Sequence, residues 1–390
     1  MFEDKLRDTL KNLEDSGLRR RVRLTASPQG PTIKFDGREV HNFCSNNYLG
    51  LANDSRLGQS IVESIRQEGY GASASRLICG SMPSHHNLEE RMASFKGTEA
   101  CLLYNTGYMA NVGILSSLFD KDDMIFCDKL NHASIIDGIR LCQVPFKRYR
   151  HADMDHLEQL LAAAPAVGNK CVVTDSIFSM DGDVAPLDKI VEIAKRHHAV
   201  VMVDEAHAFG VMGQTGKGCV EHFGLTGAVD IQMGTFSKAA GSFGAYCCGS
   251  RALIDVLINK SRSFIYTTGL PPLIAAASLK AVDIIEQDQS LRQQLWDNTH
   301  YTRAALRLAG FNTMNSSTPI IPILIGDNHL AIKFSQQLFE EGILVLAVRP
   351  PTVPPNTARL RLTLTAKHNK ADIDYVLNKF VKIGKELKVI

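Results

Sequence analysis

Short, wholly apolar runs recur between helical patterns from about residue 60 to about residue 250, and they constrain this 390-residue chain more than any other feature. CVVT (171–174), AVVMVD (199–204) and GAYCCG (244–249) offer no polar face. A strand with water on one side alternates polar and apolar residues, whereas a strand covered on both sides does not. Such runs, separated by helical segments, predict an α/β fold with a mainly parallel central sheet covered by helices.

The flanks read differently. Leu6, Leu10 and Leu13 recur at helical spacing ahead of Arg19, Arg20, Arg21 and Arg23, predicting an N-terminal helix lying on the body. Asp36-Gly37 between two strand-like runs in Ile33–Phe43 predicts a hairpin. Past Pro271-Pro272 come a long helical pattern, the strand TPIIPILIG, a helix near Ala331–Glu341, the strand ILVLAV and the alternating strand ARLRLTLT. These make a smaller α+β unit. The expected organisation is therefore a helix and hairpin over 1–45, a large cofactor-binding domain over 46–285 and a C-terminal α+β domain over 286–390. In ARLRLTLT, Leu360, Leu362 and Leu364 share one face and leave Arg359, Arg361, Thr363 and Thr365 on the other. At least one of those arginines can meet solvent or a ligand.

Composition removes several classes of function. Lys and Arg total 43 against 41 Asp and Glu, so a net charge of +2 gives no global field favouring nucleic acid or an anionic membrane. The nine cysteines are scattered and odd in number, with no metal-binding pair, so they read as buried thiols in a reducing cytoplasm and no metal is expected. No apolar stretch reaches the ~18 residues of a membrane helix, and the opening MFEDKLRDTL carries acids where a leader would not. A cytoplasmic location is expected.

The chemistry concentrates after two of the apolar runs. Asp204 ends AVVMVD and His207 follows, and in open α/β sheets ligands gather at the carboxyl ends of strands. Alone, such an aspartate is as readily a turn or a helix cap. The next run, DIQMGTFSKAAGSFG, ends in Thr235, Ser237 and Lys238. Pyridoxal phosphate (PLP) requires a lysine amine, a carboxylate for its ring nitrogen, and hydroxyl and backbone donors for its phosphate. Lys238, Asp204, Thr235 and Ser237 supply that set. In NTGYMAN, Gly107 permits close backbone approach at a helix start, a second phosphate donor set. His132 in KLNHASI is an aromatic suited to lie over a pyridine ring.

The ordered blocks SNNYLGL, ASRLICGSMPSHHNLE, NTGYMAN, DKLNHASI, SIFSMDGDVAPL, VDEAHAFG, GTFSKAAGSFG and RPPTVPPNTARLRLTLTA together resemble the α-oxoamine synthases, a branch of the fold-type I, aspartate aminotransferase-like PLP transferases. The resemblance covers nearly the whole chain. It implies Lys238 as the lysine carrying PLP, Asp204 as partner of the ring nitrogen, and His207 with Ser179 near the ring hydroxyl. By the same resemblance Gly107, Tyr108 and Thr235 hold the phosphate, His132 stacks on the ring, and Arg361 takes the amino-acid carboxylate. Arg19, Thr352 and Asn46 lie along the substrates. Thr267, in YTTGLPP, would reach the phosphate of a neighbouring subunit, which implies a homodimer. The block RPPTVPPNTARLRLTLTA is most similar to that of the family member joining L-alanine to a pimeloyl thioester, on CoA or a carrier protein, in biotin biosynthesis. Glycine with acetyl-CoA, serine with a long acyl chain, and a non-catalytic subunit are the alternatives. Three residues depart from the family: Ala152 stands where Asn is usual, and Ala208-Phe209 where smaller or β-branched residues are common.

Overall fold

The computed structural model describes residues 1–16, 18–165 and 168–390. Its central sheet has seven strands in the order Ala100–Tyr104, Ala245–Gly249, Ile231–Thr235, Ala199–Asp204, Lys170–Asp175, Met124–Asp128, Phe146–Tyr149. Pairing from Ile231–Thr235 across to Phe146–Tyr149 is parallel throughout. Ala245–Gly249 runs antiparallel to both neighbours, against the expectation of a parallel strand there. Only residues 236–244 connect it to Ile231–Thr235, fewer than the dozen or so that a parallel crossover needs.

Helices cover both faces because alternate strand residues point to opposite layers. Met202 and Met233 join Ile114 and Leu115 of helix Gly107–Leu118 and Ile135 and Ile139 of helix Ala133–Leu141. Val201 and Val203 belong to the opposite layer, with Leu88 of helix Pro83–Lys96 and Leu187 of helix Leu187–Arg196. Each such apolar side chain contributes roughly 1.5–3 kcal/mol on full burial. Phe209, one of the departures from the family pattern, belongs to this core, meeting Phe95, Phe236 and Tyr246 edge-on.

The predicted hairpin is formed by Thr32–Phe35 and Arg38–Asn42, with Asp36 at φ 46° and Gly37 at φ 80° in the left-handed region a tight turn demands. Arg38–Asn42 also pairs in parallel with Ile343–Leu344. The run ILVLAV is thus two strands, not one. Its second part, Leu346–Val348, pairs antiparallel with Ala358–Thr363, which pairs in turn with Ile320–Gly326. The chain changes sheets at the buried Val345.

Helix Phe2–Asp15 forms, but every residue in it is exposed, so it does not lie on the body of its own chain as expected. All nine cysteines are free, with Cys79 exposed against the expectation of burial. Among the described residues there is no helix long and apolar enough to cross a membrane and no acidic, His or Cys cluster able to hold a metal.

Candidate active site

Five parallel strands release their chains at one edge of the sheet, and each leads into a residue singled out by sequence. Gly107 follows Tyr104, His132 follows Asp128, Ser179 follows Asp175, His207 follows Asp204 and Lys238 follows Thr235. The face of Ala358–Thr363 opposite its buried leucines closes the edge from the C-terminal side. A cavity of about 330 Å³ lies between. Asn46, His132, Ser179, His207, Lys238 and Arg361 form its polar wall, and Cys44, Met180, Leu346 and Val348 its apolar one.

Asp204 is 5 % exposed, and its position is fixed by two donors: Asn111 Nδ2 gives to Oδ2 at 2.8 Å and the Ala206 N–H to Oδ1 at 2.8 Å. Asp175 stands in register with it on the adjacent strand and accepts the His132 N–H at 2.8 Å. Burial, and next the Asp204 carboxylate, raise the Asp175 carboxyl well above the ordinary range. Burial pushes the Lys238 amine down to about 8, with Arg361 acting in the same direction against the pull of Asp204 and Asp175. His207 is held neutral by burial, reinforced by the positive charge of Lys238 and Arg361, and its Nδ1 lies 2.7 Å from Tyr48 Oη. Burial drives the Cys44 thiol up to about 12, so it is no nucleophile.

Arg361 is aimed by three bonds: Nε to the Ser179 carbonyl at 2.6 Å, one terminal nitrogen to Thr363 Oγ1 at 3.0 Å and the other to Asn46 Oδ1 at 3.1 Å. Its strand neighbour Arg359 turns from solvent to Asp181 at 2.5 Å. Both arginines therefore grip the segment Ser179–Asp181. Gly182 makes that approach possible, since a Cβ there would come within 2.1 Å of the Ile320 carbonyl.

At the phosphate end, Thr235 Oγ1 lies 2.8 Å from Ser237 Oγ, and Gly107 is beside them, where an added Cβ would meet Met233 Cε at 3.3 Å and the Thr235 Cβ at 3.8 Å. Tyr108 is half exposed and donates to Asp137 at 2.9 Å, while Thr267 Oγ1 accepts from Asn105 at 3.3 Å. Neither lines the cavity. Arg19 and Thr352 also lie outside it, Arg19 on the surface beside Glu14 and Thr352 in an exposed turn. Asp175, Tyr48, Asn111 and Ser134 escaped the sequence reading although each sits inside a quoted block or beside one. Asp175 carried a usable signal, a carboxylate ending an apolar run as Asp204 does.

A part-buried lysine with its amine lowered toward neutrality, a dry anchored carboxylate and a hydroxyl pair beside a glycine-led helix start fit the needs of PLP. Comparison with known proteins agrees. The 8-amino-7-oxononanoate synthase of Geobacter sulfurreducens is 46 % identical over 383 residues, covering 98 % of each chain. That of Thermoanaerobacter pseudethanolicus is 45 % identical over 388 residues, covering 99 % of this chain and 98 % of its own. The serine palmitoyltransferase of S. paucimobilis, solved with PLP and myriocin bound, superposes with a TM-score of 0.94 at 31 % identity over 99 % of this chain and 98 % of its own. The family model for aminotransferase class I and II matches residues 38–380. With nearly its whole length matched and the fold-type I sheet in place, the chain belongs to the aminotransferase class I and II family of PLP enzymes.

Proposed function

We propose that this protein is an 8-amino-7-oxononanoate synthase, condensing L-alanine with a pimeloyl thioester and releasing carbon dioxide and the free thiol. The observation that carries the reading is the placement of Lys238 and Arg361 on one cavity, with the buried Asp204 close enough to act on the Lys238 charge, in a chain 45–46 % identical, end to end, to enzymes of that name. The serine palmitoyltransferases share the fold at 31 % identity, which favours the alternative less.

PLP, when bound, supplies the sink that stabilises negative charge at the amino-acid Cα. Lys238 would hold it, Asp204 would keep a proton on the ring nitrogen, and Thr235, Ser237 and the helix start at Gly107 would take the phosphate. Arg361 offers its guanidinium to the alanine carboxylate. Lys238, with a large neutral fraction near pH 8, takes the Cα proton and later returns it. Cys44, Met180, Leu346 and Val348 give the methylene chain of the acyl group an apolar surface.

We also read the working unit as a homodimer in which Thr267 reaches the partner's phosphate site. Tyr70, Ile78 and Tyr266 support this, large apolar side chains that are 78 %, 79 % and 71 % exposed. The Gly269 N–H donates to the Ala74 carbonyl at 2.8 Å, so the two segments carrying them are adjacent. The test is to incubate the protein with alanine, glycine or serine and acetyl, pimeloyl or palmitoyl thioesters on CoA and on carrier protein, identifying the ketone by mass spectrometry. Preference for any pair other than alanine and pimeloyl overturns the substrate assignment, and an active monomer by light scattering overturns the dimer.

A further inference from the structure

Asn111 is 1 % exposed on helix Gly107–Leu118, and its Nδ2 lies 2.8 Å from Asp204 Oδ2 and 2.9 Å from Ser134 Oγ. A carboxylate oxygen accepts, so the amide must turn its NH₂ and not its oxygen toward Asp204. An amide nitrogen has no lone pair for Ser134, so Ser134 Oγ accepts the second Asn111 proton. The Ser134 hydroxyl proton is then directed at its other neighbour, His132 Nδ1, 2.7 Å away. The Ser134 backbone N–H points at the same ring nitrogen at 3.3 Å. With two donors facing it, Nδ1 is an acceptor, and the ring proton resides on Nε2.

We propose that Asn111 and Ser134 form a relay from Asp204 that fixes His132 as its Nε2–H tautomer, so that the ring presents a hydrogen-bond donor to the cavity and not a base. Asn111 Oδ1 supports a functional constraint on this orientation, being buried with no hydrogen-bond partner among the described residues. Leaving a buried acceptor unpaired is costly, and satisfying Asn111 alone would not select it. Burial also lowers the His132 imidazole from its ordinary value, with Lys238 acting in the same direction against Asp204 and Asp137. His132 lines the cavity with no protein partner for Nε2 among the described residues, so this donor is free for a carboxylate or carbonyl oxygen of a substrate. Proton removal is left to Lys238. Asn111 and Ser134 are positioning residues in this scheme. It rests on the proposed function only in taking the cavity as the place of reaction.

The test is long-range proton–nitrogen NMR on the full-length, PLP-loaded protein labelled at histidine, with His132 assigned by its loss in His132→Gln. Wild type should show the neutral Nε2–H pattern from the ordinary imidazole value of about 6.5 up to about pH 9. Ser134→Ala, which keeps only the longer backbone donor to Nδ1, should lose that single pattern and populate the Nδ1–H form in part, and Ser134→Thr, which keeps the hydroxyl, should restore it. A wild-type Nδ1–H or protonated ring overturns the relay, as does a Ser134→Ala spectrum identical to wild type. Should Ser134→Ala fail to fold, the wild-type tautomer still decides. Product formation from alanine and pimeloyl thioester is scored separately, so failure there with the Nε2–H pattern intact rejects the substrate reading and not the relay.

Discussion

Lys96 and Glu205 form an ion pair from which solvent is excluded, their side chains 1 % and 0 % exposed, one residue along the chain from Asp204. Lys96 also donates to the Lys217 carbonyl at 2.5 Å, and Glu205 accepts the Val220 N–H at 2.9 Å. Gly218, at φ 120°, leaves room for the carboxylate, since a Cβ there would lie 2.5 Å from its oxygens. Removing one partner strands the other charge in a dry site. Lys96→Met should therefore destabilise the protein by about 3–5 kcal/mol, and adding Glu205→Gln should restore a large part of it. Denaturant unfolding of the two variants checks this.

The second expectation is a pH dependence. His151 bridges Asp128 at 3.0 Å and Asp183 at 2.8 Å. Burial would lower its imidazole, but the hydrogen bonds and charge of the two carboxylates outweigh burial and raise it from 6.5 to about 10. The folded protein thus binds a proton that the unfolded chain releases above 6.5. The stabilisation is complete below pH 6.5 and fades as pH rises toward 10. The stability gap between wild type and His151→Gln should shrink across that window, measured by melting at several pH values.

Arg361 leads to a substrate-specific expectation. Its planar fork is positioned by Ser179 and Asn46 in a way a lysine ammonium cannot copy. Arg361→Lys should weaken alanine binding about tenfold or more, the loss expected for a charged hydrogen bond of roughly 1.5–3 kcal/mol. The apparent Michaelis constant for pimeloyl thioester should stay near wild type. Steady-state kinetics with each substrate varied in turn separates the two.

Lys238 is expected to be dispensable for folding and indispensable for holding PLP covalently. Borohydride reduction of the PLP-loaded protein should label the peptide containing Lys238, and Lys238→Ala should keep its circular dichroism and lose the label. Labelling of the cofactor-free protein with added PLP should speed up as pH rises through about 8, as the amine loses its proton. A label elsewhere, or a rate insensitive to pH in that range, contradicts the assignment.

Ala152 occupies the left-handed region at φ 51°, which gives a physical reason for the asparagine usual there in the family. Its N–H donates to Asp128 Oδ2 at 2.9 Å, a bond any residue but proline keeps. Ala152→Gly or Ala152→Asn should raise stability by about 0.5–1 kcal/mol in thermal unfolding, without changing turnover.

The sequence alone determined the layered α/β architecture, because strands covered on both faces must be written as unbroken apolar runs. It also determined the chemical kinds at the site. An amine at Lys238, a carboxylate at Asp204 and hydroxyls at Thr235 and Ser237 are local facts, legible because each follows such a run. Direction and partnership are not local. GAYCCG carries no mark of its antiparallel course, which the short connection from Thr235 imposes, and ILVLAV does not announce that Val345 separates two sheets. Arg359 and Arg361 are indistinguishable in ARLRLTLT, since the pattern tells only which face they share. Tertiary packing sent Arg359 to Asp181 and Arg361 into the cavity. Asn111 and Ser134, 23 positions apart in the chain, meet only because two helices pack side by side on the sheet, and a hydrogen bond between elements has no signature in either one. Pattern and residue chemistry are written along the chain, whereas aim and protonation depend on what the fold sets opposite each side chain.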